Sequence, residues 1–355
     1  MIYKFKDIIE EVEERNIDLR YGLDDIVGVT IEKGLIPTIA NLTQTSLDKF
    51  YLVKPETFVY NPRTHGVRLG MGFNNTTNVY ITSWNNVAFK VSTKAQDIVI
   101  PQYLWLFFCR PIWDRLTNFF AWGSSTIVFA WKDFLNIDID IPSITRQREI
   151  VSEYETLTNR ICLNNQMIQH LEATAQALYR KTFVDNIDKE NLPEGWRMGT
   201  LEEIADIKNG KAIVPAEGDI PVYGGNGIVG YTNISNAENV VVIGRVGINC
   251  GSLYLHQRKC YVNDNAMIAI PKSGNTIFLY RTLNEMDLNS QSEGSGQPLL
   301  TQSIIYKQEC LIPKLEQRIK FEEQMQIVYI QKSLKEKESS KLTELQSLLL
   351  AKMGQ

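Results

Sequence analysis

The sequence predicts a mixed α/β fold built from two similar domains, each followed by one long helix. Three observations lead to this fold class. A residue pattern recurs at a constant offset of 171, as from Gly123 to Gly294. Short β-branched and aromatic runs alternate with Gly, Asn and Asp turn signals, which is typical of strands. Two long stretches without Pro or Gly carry apolar residues in steps of three and four, as coiled coils do.

The repeat covers the end of each domain and the segment after it. Residues 123–142 recur as residues 294–313, and both copies begin with a glycine-serine stretch and end in Ile-Pro. The same offset relates the two helix ends; the matched residues are Leu171, Leu178 and Lys181 with Leu342, Leu349 and Lys352. The pattern therefore indicates one structural unit used twice.

Four segments follow along the chain. Residues 1–142 and 193–313 are interpreted as the two mixed α/β domains, and residues 143–192 and 314–355 as long helices, the first with a linker. Predicted strands are Thr57–Tyr60, Val79–Thr82, Val87–Val91, Val240–Ile243 and Ala266–Ile270. Predicted domain helices are Phe5–Glu14, Gln102–Phe108, Leu201–Ile207, which begins with a Thr200-x-x-Glu203 capping box, and Ile277–Asn284.

The first long helix has a heptad seam that is interrupted only by Asn164. Its apolar positions are Ile150, Tyr154, Leu157, Ile161, Ile168, Leu171, Ala175 and Leu178. The matching positions of the second helix are apolar at both ends, at Phe321, Met325, Val328, Leu342 and Leu349, and polar between, at Lys332, Lys335 and Ser339. A local shift of the second seam to Ile327, Ile330 and Leu334 is therefore expected.

Narrow apolar seams on two long helices predict that the helices pack on each other. We expect an intramolecular coiled coil, with a partner protein covering whatever apolar surface remains. The seam residues are accordingly candidates both for helix packing and for partner docking.

Composition excludes several classes of protein. With 355 residues and a net charge of −4, the chain is long enough for two domains but has no uniform positive coat, so any nucleic-acid contact is expected to be local. Five scattered cysteines without a C-x-x-C pair indicate no disulfide framework and no metal site. The absence of a secretory signal, and of an apolar run near the roughly 20 residues of a membrane span, favours a cytoplasmic location.

The sequence contains partial motifs for catalysis or cofactor binding, but the residues around them do not fit such sites. Residues 225–230 form a literal G-x-G-x-x-G, but turn-forming residues follow instead of a helix, so we interpret them as a loop and not as a dinucleotide site. Residues 209–212 lack the hydroxyl residue of a phosphate-binding loop. None of the three histidines has a visible catalytic partner. The chain is expected to have no catalytic residue and to bind no cofactor.

Loops rich in Arg, Asn, Gly and Tyr suggest contact chemistry instead. Arg can pair bidentately with guanine, and Asn with adenine, at the major-groove edge. Residues 1–53 carry ten acidic and six basic side chains, whereas residues 54–133 carry four and eight. Candidate DNA contacts are Arg63, His65, Arg68, Asn74 and Asn75 in the first domain and Lys208, Lys211, Tyr223, Asn226, Arg245 and Asn249 in the second. The alternative is that these are ordinary turn residues.

Taken in order, several weak motifs resemble the specificity (S) subunits of type I restriction-modification systems, the HsdS family. They are the Leu-Pro-Glu-Gly-Trp segment at 192–196, the glycine-serine stretch and Ile-Pro exit of each domain, the Gln147-Arg148 and Gln317-Arg318 helix starts, and the Leu-rich helix ends. The resemblance covers essentially the whole chain. It implies two target recognition domains, joined and separated by the two antiparallel helices with pseudo-twofold symmetry.

The resemblance also implies partners and their chemistry. Each domain would read one half of a split sequence in double-stranded DNA, and the helices would dock two methyltransferase (M) subunits and, through them, restriction (R) subunits. S-adenosylmethionine, ATP and Mg are then expected on the partners. From Ile150 to Leu178 a helix rises about 42 Å, against about 34 Å for one turn of DNA, which suits a ruler between half-sites.

Two alternatives stay open at this point. The chain could be the recognition subunit of a restriction enzyme whose nuclease and methyltransferase share one polypeptide. It could also be a coiled-coil scaffold that binds other proteins and no DNA. Base-contacting residues cannot be carried over by motif, because the recognition domains of this family diverge strongly.

Overall fold

The computed structural model describes residues 1–38, 45–64, 68–123, 127–185, 187–292 and 298–353. These residues divide into two units, the first formed by residues 1–163 with 338–355 and the second by residues 164–337. Each long helix therefore contributes one part to each unit. The candidate His65 and residues 294–296 of the repeat lie outside the described residues.

The first unit begins with a strand, one helical turn and a second strand. Its elements are β1 (Ile2–Lys4), α1 (Phe5–Ile8), β2 (Ile9–Glu11), β3 (Val27–Thr30), β4 (Gly34–Pro37), β5 (Tyr51–Val53), β6 (Phe58–Tyr60), β7 (Arg63–Thr64), β8 (Met71–Phe73), β9 (Tyr80–Thr82), β10 (Val87–Val91), α2 (Pro101–Phe108), α3 (Pro111–Phe120), β11 (Ile127–Val128), α4 (Trp131–Phe134), β12 (Asp138–Asp140) and the long helix α5 (Ile144–Phe183).

The second unit begins in the same way. Its elements are β13 (Arg197–Thr200), α6 (Leu201–Ile204), β14 (Ala205–Asn209), β15 (Ile220–Gly224), β16 (Gly227–Thr232), β17 (Ala237–Gly244), β18 (Leu253–Val262), β19 (Ala266–Pro271), α7 (Thr276–Asn284), α8 (Gln302–Tyr306), β20 (Glu309–Ile312) and the long helix α9 (Leu315–Lys352). The strands and the helices α2 and α7 predicted from the sequence are confirmed to within a few residues.

Both units contain a six-stranded sheet with the same strand order. The order is β2-β10-β6-β8-β3-β4 in the first unit and β14-β19-β17-β18-β15-β16 in the second. Counted along the chain, both sheets read first, sixth, fourth, fifth, second, third. A two-stranded pair of the domain's first and last strands, β1 with β12 and β13 with β20, accompanies each sheet. The internal repeat predicted from the sequence is thus confirmed at the level of topology.

The two copies are not identical. The first unit adds the helix α3 and the two-stranded β5–β9 sheet. The strands β15 and β18 pair in parallel, whereas their counterparts β3 and β8 are antiparallel and joined by the single pair Thr30–Met71. The domain interiors therefore differ more than the frame around them.

The core of the first unit is rich in aromatic side chains. The ring of Phe5 packs against Phe108, Trp113 and Phe134 with centroid distances of 5.7, 5.5 and 4.8 Å, and all four side chains are fully buried. Ile150 of α5 extends this core. Edge-to-face aromatic packing of this kind adds to the area term, so the α1 turn is fixed by tertiary contacts more than by helix propensity.

Two sequence predictions of helices were too long. Phe5–Glu14 and Leu201–Ile207 were expected to be helical throughout, but the helices end at Ile8 and Ile204. The residues that follow, in β2 and β14, join the sheets beside β10 and β19. A single turn already buries the apolar residues at its start, and the strand pairs satisfy the backbone beyond it.

Within each unit the long helices pack antiparallel. In the first unit Arg160 pairs with Glu338 at 2.6 Å, and Gln346 Nε2 donates to Thr158 Oγ1 at 2.7 Å. In the second unit the rings of Tyr179 and Phe183 lie 5.8 and 5.3 Å from that of Phe321. These contacts confirm the predicted helix pairing. None of the helices in the described ranges has an apolar stretch of the length that a bilayer crossing requires.

The seam differs from the prediction in two places. Leu178 is 38% exposed, because Tyr179 fills the buried position one residue later. Ile327, Ile330 and Leu334 are exposed as well, so the expected shift of the second seam is wrong. The original heptad positions Val328, Lys332, Lys335 and Ser339 face inward and are partly buried. Charge pairing makes this register possible, since Lys332 Nζ lies 2.9 Å from Glu172 Oε2.

Candidate nucleic-acid interface

Several loops of the second unit meet at one end of its six-stranded sheet. We call residues 209–211, 224–226, 245–249 and 263–265 the second-unit loop cluster. The amides of Gly210 and Lys211 donate to Ala266 O and Val262 O, both at 3.0 Å. The amide of Arg245 donates to Asn265 O at 3.0 Å. The amide of Asn263 donates to Tyr223 O at 2.8 Å, so backbone hydrogen bonds hold loops from four places in the sequence together.

Glycine is required where these backbones approach each other. A Cβ at Gly210 would lie 1.9 Å from Asn263 O, and one at Gly244 would lie 2.7 Å from Gly225 O. Either substitution would force the backbones apart. The glycines therefore fix the shape of the loop cluster.

The G-x-G-x-x-G segment is a β-hairpin. Gly225 and Asn226 form the turn between β15 and β16, and Gly227 has a φ of +86°. The prediction of a loop is confirmed for residues 225–226, which form the turn. It is wrong for residues 227–230, which belong to the strand β16. Because no helix begins at this turn, the phosphate-binding geometry of a dinucleotide fold is missing.

The structure brings the second-domain candidates together but presents them differently. Lys208, Lys211 and Asn226 are exposed, and Arg245 and Asn249 are half-buried. Tyr223 is buried, and its hydroxyl lies 3.1 Å from His256 Nδ1. Burial raises the pKa of Tyr223 to about 12, so the phenol stays neutral. Tyr223 supports the loop cluster from inside, in contrast to the surface contact expected from the sequence.

The first unit places its candidates on matching segments. Arg63 and Arg68 are exposed, and Arg63 pairs with Val128 between β7 and β11. In the second unit an isolated bridge joins Val246 to Leu299 in the same antiparallel sense. The exit loops of β6 and β17 therefore run along corresponding paths.

Asn74 corrects the sequence-based list. Its side chain is 1% exposed, its Nδ2 donates to Val53 O at 2.9 Å, and its Oδ1 accepts from Thr76 N at 3.0 Å. Asn263 has the equivalent place after β18, and its Oδ1 accepts from Asn265 N at 2.9 Å. Both asparagines organise the turn that follows a strand, and Asn74 has no free amide to offer a base.

Sequence reasoning missed a cavity in the first unit that is lined by both basic and acidic side chains. It has a volume of about 410 Å³ and is lined by residues that include Lys33, Arg68 and Arg115. Lys33 forms a largely buried pair with Asp114 at 2.6 Å and also donates to Leu69 O. Lys33 has a φ of +67°, a turn position that no strand or helix pattern reveals.

Sequence reasoning also missed an exposed aromatic corner beside Arg63. Phe119 and Trp122 are largely exposed, and Lys132 Nζ lies 5.9 Å from the Trp122 ring centroid. Trp122 forms an isolated bridge to Val128, the partner of Arg63. Exposed aromatic rings among cations suit nucleic acid, which offers both phosphates and base faces.

The long helices carry an apolar stripe that faces away from the helix pair. In the second unit it comprises the exposed side chains of Ile319, Ile327, Ile330 and Leu334 on α9, with Met167 and Leu178 on α5. In the first unit Leu345 and Leu348 on α9, and Leu163 on α5, are exposed. Spacings of eight, three and four residues keep Ile319, Ile327, Ile330 and Leu334 of the second unit on one face of α9.

No cluster of potential metal ligands occurs among the residues that the structure describes. Cys109, Cys250, Cys260 and Cys310 form no disulfide within the described part of the chain. Burial raises the pKa of Cys109 and Cys260 to about 12. Neutral thiols of this kind are poor nucleophiles and poor metal ligands.

Comparisons with known proteins agree with this geometry. Residues 193–349 match the family described as the type I restriction modification DNA specificity domain. Over 141 residues the chain is 30% identical to the type I restriction enzyme EcoprrI specificity subunit of Escherichia coli. That match covers 37% of this chain and 35% of the relative, so it spans about a third of the relative's length.

Solved structures resemble nearly the whole chain. The crystal structure of the type I restriction-modification S subunit from M. genitalium has a TM-score of 0.66 at 16% identity and covers 99% of this chain and 94% of that one. A structure described as the basis of complex assembly and conformational transition of the type I R-M system has a TM-score of 0.51 at 17% identity, with 99% and 96% covered. These likenesses show that the two-unit fold is that of an S subunit. Residues 193–349 are therefore similar to the DNA specificity domain of type I restriction-modification systems.

Proposed function

We propose that this chain is the DNA-reading subunit of a type I restriction-modification complex and performs no catalysis itself. Residues 1–142 and 193–313 each read one half of a split target in double-stranded DNA. One observation carries the proposal: both domains have the same sheet order, while the loops at the corresponding sheet ends carry different side chains. A shared frame with different loops suits two readers of different half-sites.

The loop chemistry supports DNA as the ligand. Exposed Lys211 and Lys208 can neutralise phosphates, and half-buried Arg245 is preorganised for a bidentate contact with guanine. In the first unit Arg63 and Arg68 supply the same chemistry. The target is cellular DNA, so the proposal places the chain in the cytoplasm.

The apolar stripe on the helices supports protein partners. Soluble proteins rarely expose a continuous row of Ile and Leu on one helix face. Ile327, Ile330 and Leu334 form such a row, so we infer that methyltransferase subunits cover it. One such subunit would dock on each unit, and restriction subunits would join through them. S-adenosylmethionine, ATP and Mg would then bind the partners.

The test is a binding experiment on the chain reconstituted with its methyltransferase. Binding to duplex DNA should be sequence-selective and should weaken steeply with salt, because phosphate contacts release counterions. Replacing residues 193–313 by the corresponding domain of another subunit should change one half of the methylated sequence and leave the other half unchanged. Binding that is insensitive to both salt and sequence would refute DNA reading and favour a scaffold.

The second candidate function is that of the recognition subunit of a restriction enzyme whose nuclease and methyltransferase share one polypeptide. It would use the same recognition domains and the same exposed stripe. Copurification decides between the two: separate methyltransferase and nuclease chains support the type I assembly, and a single polypeptide with both activities supports the alternative.

A further inference from the structure

The loop 245–249 presents an apolar side chain at its tip. Ile248 is 89% exposed, although its neighbours Arg245 and Asn249 are half-buried. The preceding Gly247 has a φ of +77°, and no heavy atom of the described residues lies within 4 Å of the place where its Cβ would be. The exposed side chain of Ile248 therefore follows directly on the turn at Gly247.

Backbone hydrogen bonds hold this loop at both ends. The amide of Gly247 donates to Pro298 O at 3.1 Å, and that of Leu300 donates to Arg245 O at 2.9 Å. The amides of Cys250 and Gly251 close the turn on Gly247 O and Gly244 O at 3.0 and 2.8 Å. The exposure of Ile248 is thus a property of a held loop, and the side chain is preorganised for a partner.

The position also corresponds to a candidate in the first domain. Val246 bridges Leu299 as Arg63 pairs with Val128, so Ile248, two residues beyond Val246, matches His65, two residues beyond Arg63. Histidine can hydrogen-bond to a base edge, whereas isoleucine offers only apolar contact. The side chains at these two sequence positions therefore differ in the kind of group that they can recognise.

We propose that Ile248 reads a thymine in the half-site of the second domain through the 5-methyl group. This inference rests on the proposed DNA-reading function. The thymine methyl is the apolar feature of a base edge in the major groove. Arg245 and Asn249 beside the tip are suited to neighbouring bases, because guanine and adenine present matching acceptors and donors there.

The test replaces each thymine of that half-site by uracil, which removes the methyl group and keeps the hydrogen-bonding edge. The probe is a synthetic duplex carrying the methylome-defined target, bound to the reconstituted complex of the chain with its methyltransferase. At one position the change should weaken binding by about four-fold, the factor for burying one methyl group. Ile248→Ser should lose affinity for the thymine duplex by a similar factor and should no longer distinguish uracil at that position.

Controls separate this contact from general surface effects. Ile234→Ser removes another exposed isoleucine of the same unit, after the end of β16 that lies opposite the Gly225-Asn226 turn. It should bind both duplexes as the unchanged protein does. Ile248→Val should keep most of the preference for thymine.

Three results would overturn the inference. They are a half-site without thymine, equal binding of every uracil duplex by the unchanged protein, or a loss in Ile248→Ser that is the same for thymine and uracil. A duplex with 2-aminopurine in the half-site gives a further readout, because the fluorescence of this base rises when it is unstacked. If the last result came with enhanced fluorescence for the unchanged protein only, Ile248 would act as a wedge between base pairs instead. The proposed function would survive each of these outcomes, because it fails only when selective, salt-dependent binding is absent.

Discussion

A buried ion network joins the recognition domain to the helix pair inside the second unit. Arg281 of α7 is 1% exposed and lies 2.9 Å from Glu172 of α5. Lys332 of α9 binds the other carboxylate oxygen of Glu172 at 2.9 Å. The guanidinium also donates to Gln176 Oε1 at 2.9 Å and stacks over Tyr329. Glu172 is therefore the one anion that these two cations share.

The network predicts an order of destabilisation. Glu172→Gln leaves two cations close together with Arg281 buried, and should cost about 3 kcal/mol, the low end for breaking a buried pair because Glu172 is a third exposed. Arg281→Met removes the buried charge, leaves Glu172 paired with Lys332, and should cost only about 1 kcal/mol. The difference corresponds to about 30-fold in the local opening equilibrium.

Hydrogen exchange measures this difference at the helix concerned. Peptides covering residues 276–284, followed by mass spectrometry in the full-length protein, should exchange much faster in Glu172→Gln than in Arg281→Met. Urea unfolding should rank the two variants in the same way. Equal exchange in both variants, or a larger loss in Arg281→Met, would refute the shared-anion reasoning.

The same carboxylate gives a pH dependence. Burial raises the pKa of Glu172, but the bonds from Lys332 and the charge of Arg281 outweigh it and hold that pKa below its ordinary value of 4.5. A lowered acid pKa contributes stability that is present above 4.5 and is lost as pH falls through the folded-state pKa. The unchanged protein should lose this contribution in acid. In Glu172→Gln, the free energy of unfolding measured against pH should lack this decrease.

Four further predictions concern single elements. Asn74→Ala and Asn263→Ala should each lower the free energy of unfolding by about 2 kcal/mol, because each leaves backbone groups unpaired. Asn75→Ala, which changes an exposed side chain beside Asn74, should leave that free energy unchanged. Equal effects of Asn74→Ala and Asn75→Ala in urea unfolding would argue against the role of Asn74 in the turn. Lys211→Ala should reduce the slope of log binding constant against log salt by about one without changing the methylated sequence, and an unchanged slope would remove Lys211 from the phosphate contacts. Glu322 accepts hydrogen bonds from Ile277 N and Phe278 N at 3.0 Å at the start of α7, and burial raises the pKa of its carboxyl. The stability that this group contributes should therefore rise as pH falls through its folded-state pKa. Glu322→Gln should abolish that rise in thermal melts, and a rise that persists in the variant would show that another group causes it. Lengthening both long helices by one matched turn, about 5.4 Å, should change the spacer of the methylated target and neither half, so altered halves would contradict the ruler proposal.

The repeat was visible in the sequence only where its offset stays constant. Val128 and Leu299 are 171 residues apart, but Phe5 and Leu201 are 196 apart, and Asn74 and Asn263 are 189 apart. Insertions such as α3 and the β5–β9 sheet change the offset within the domains. The sequence therefore predicted the frame at the domain ends and missed the matched residues inside.

Contacts decided what periodicity could not. The heptad pattern predicted the helix pair, but the choice of Tyr179 over Leu178 depends on the aromatic pocket that Phe321 and Phe278 provide. Likewise, the apolar side chain of Ile327 suggested that it lies in the seam. Lys332 occupies the seam instead, because Glu172 on the partner helix pairs with it. Residue type gives the preference for burial, and only the facing surface decides which residue is buried.

The matched and unmatched positions of the two units separate structure from recognition. Asn74 and Asn263 occupy the same turn and make the same bond, so their role is to hold the frame. Position 248 and its counterpart 65 carry Ile and His, which cannot make the same contact. A substitution at a matched pair should therefore change stability and leave the target sequence intact. A substitution of the exposed Ile248 should change the target and leave stability intact, because this side chain supports no other part of the described fold.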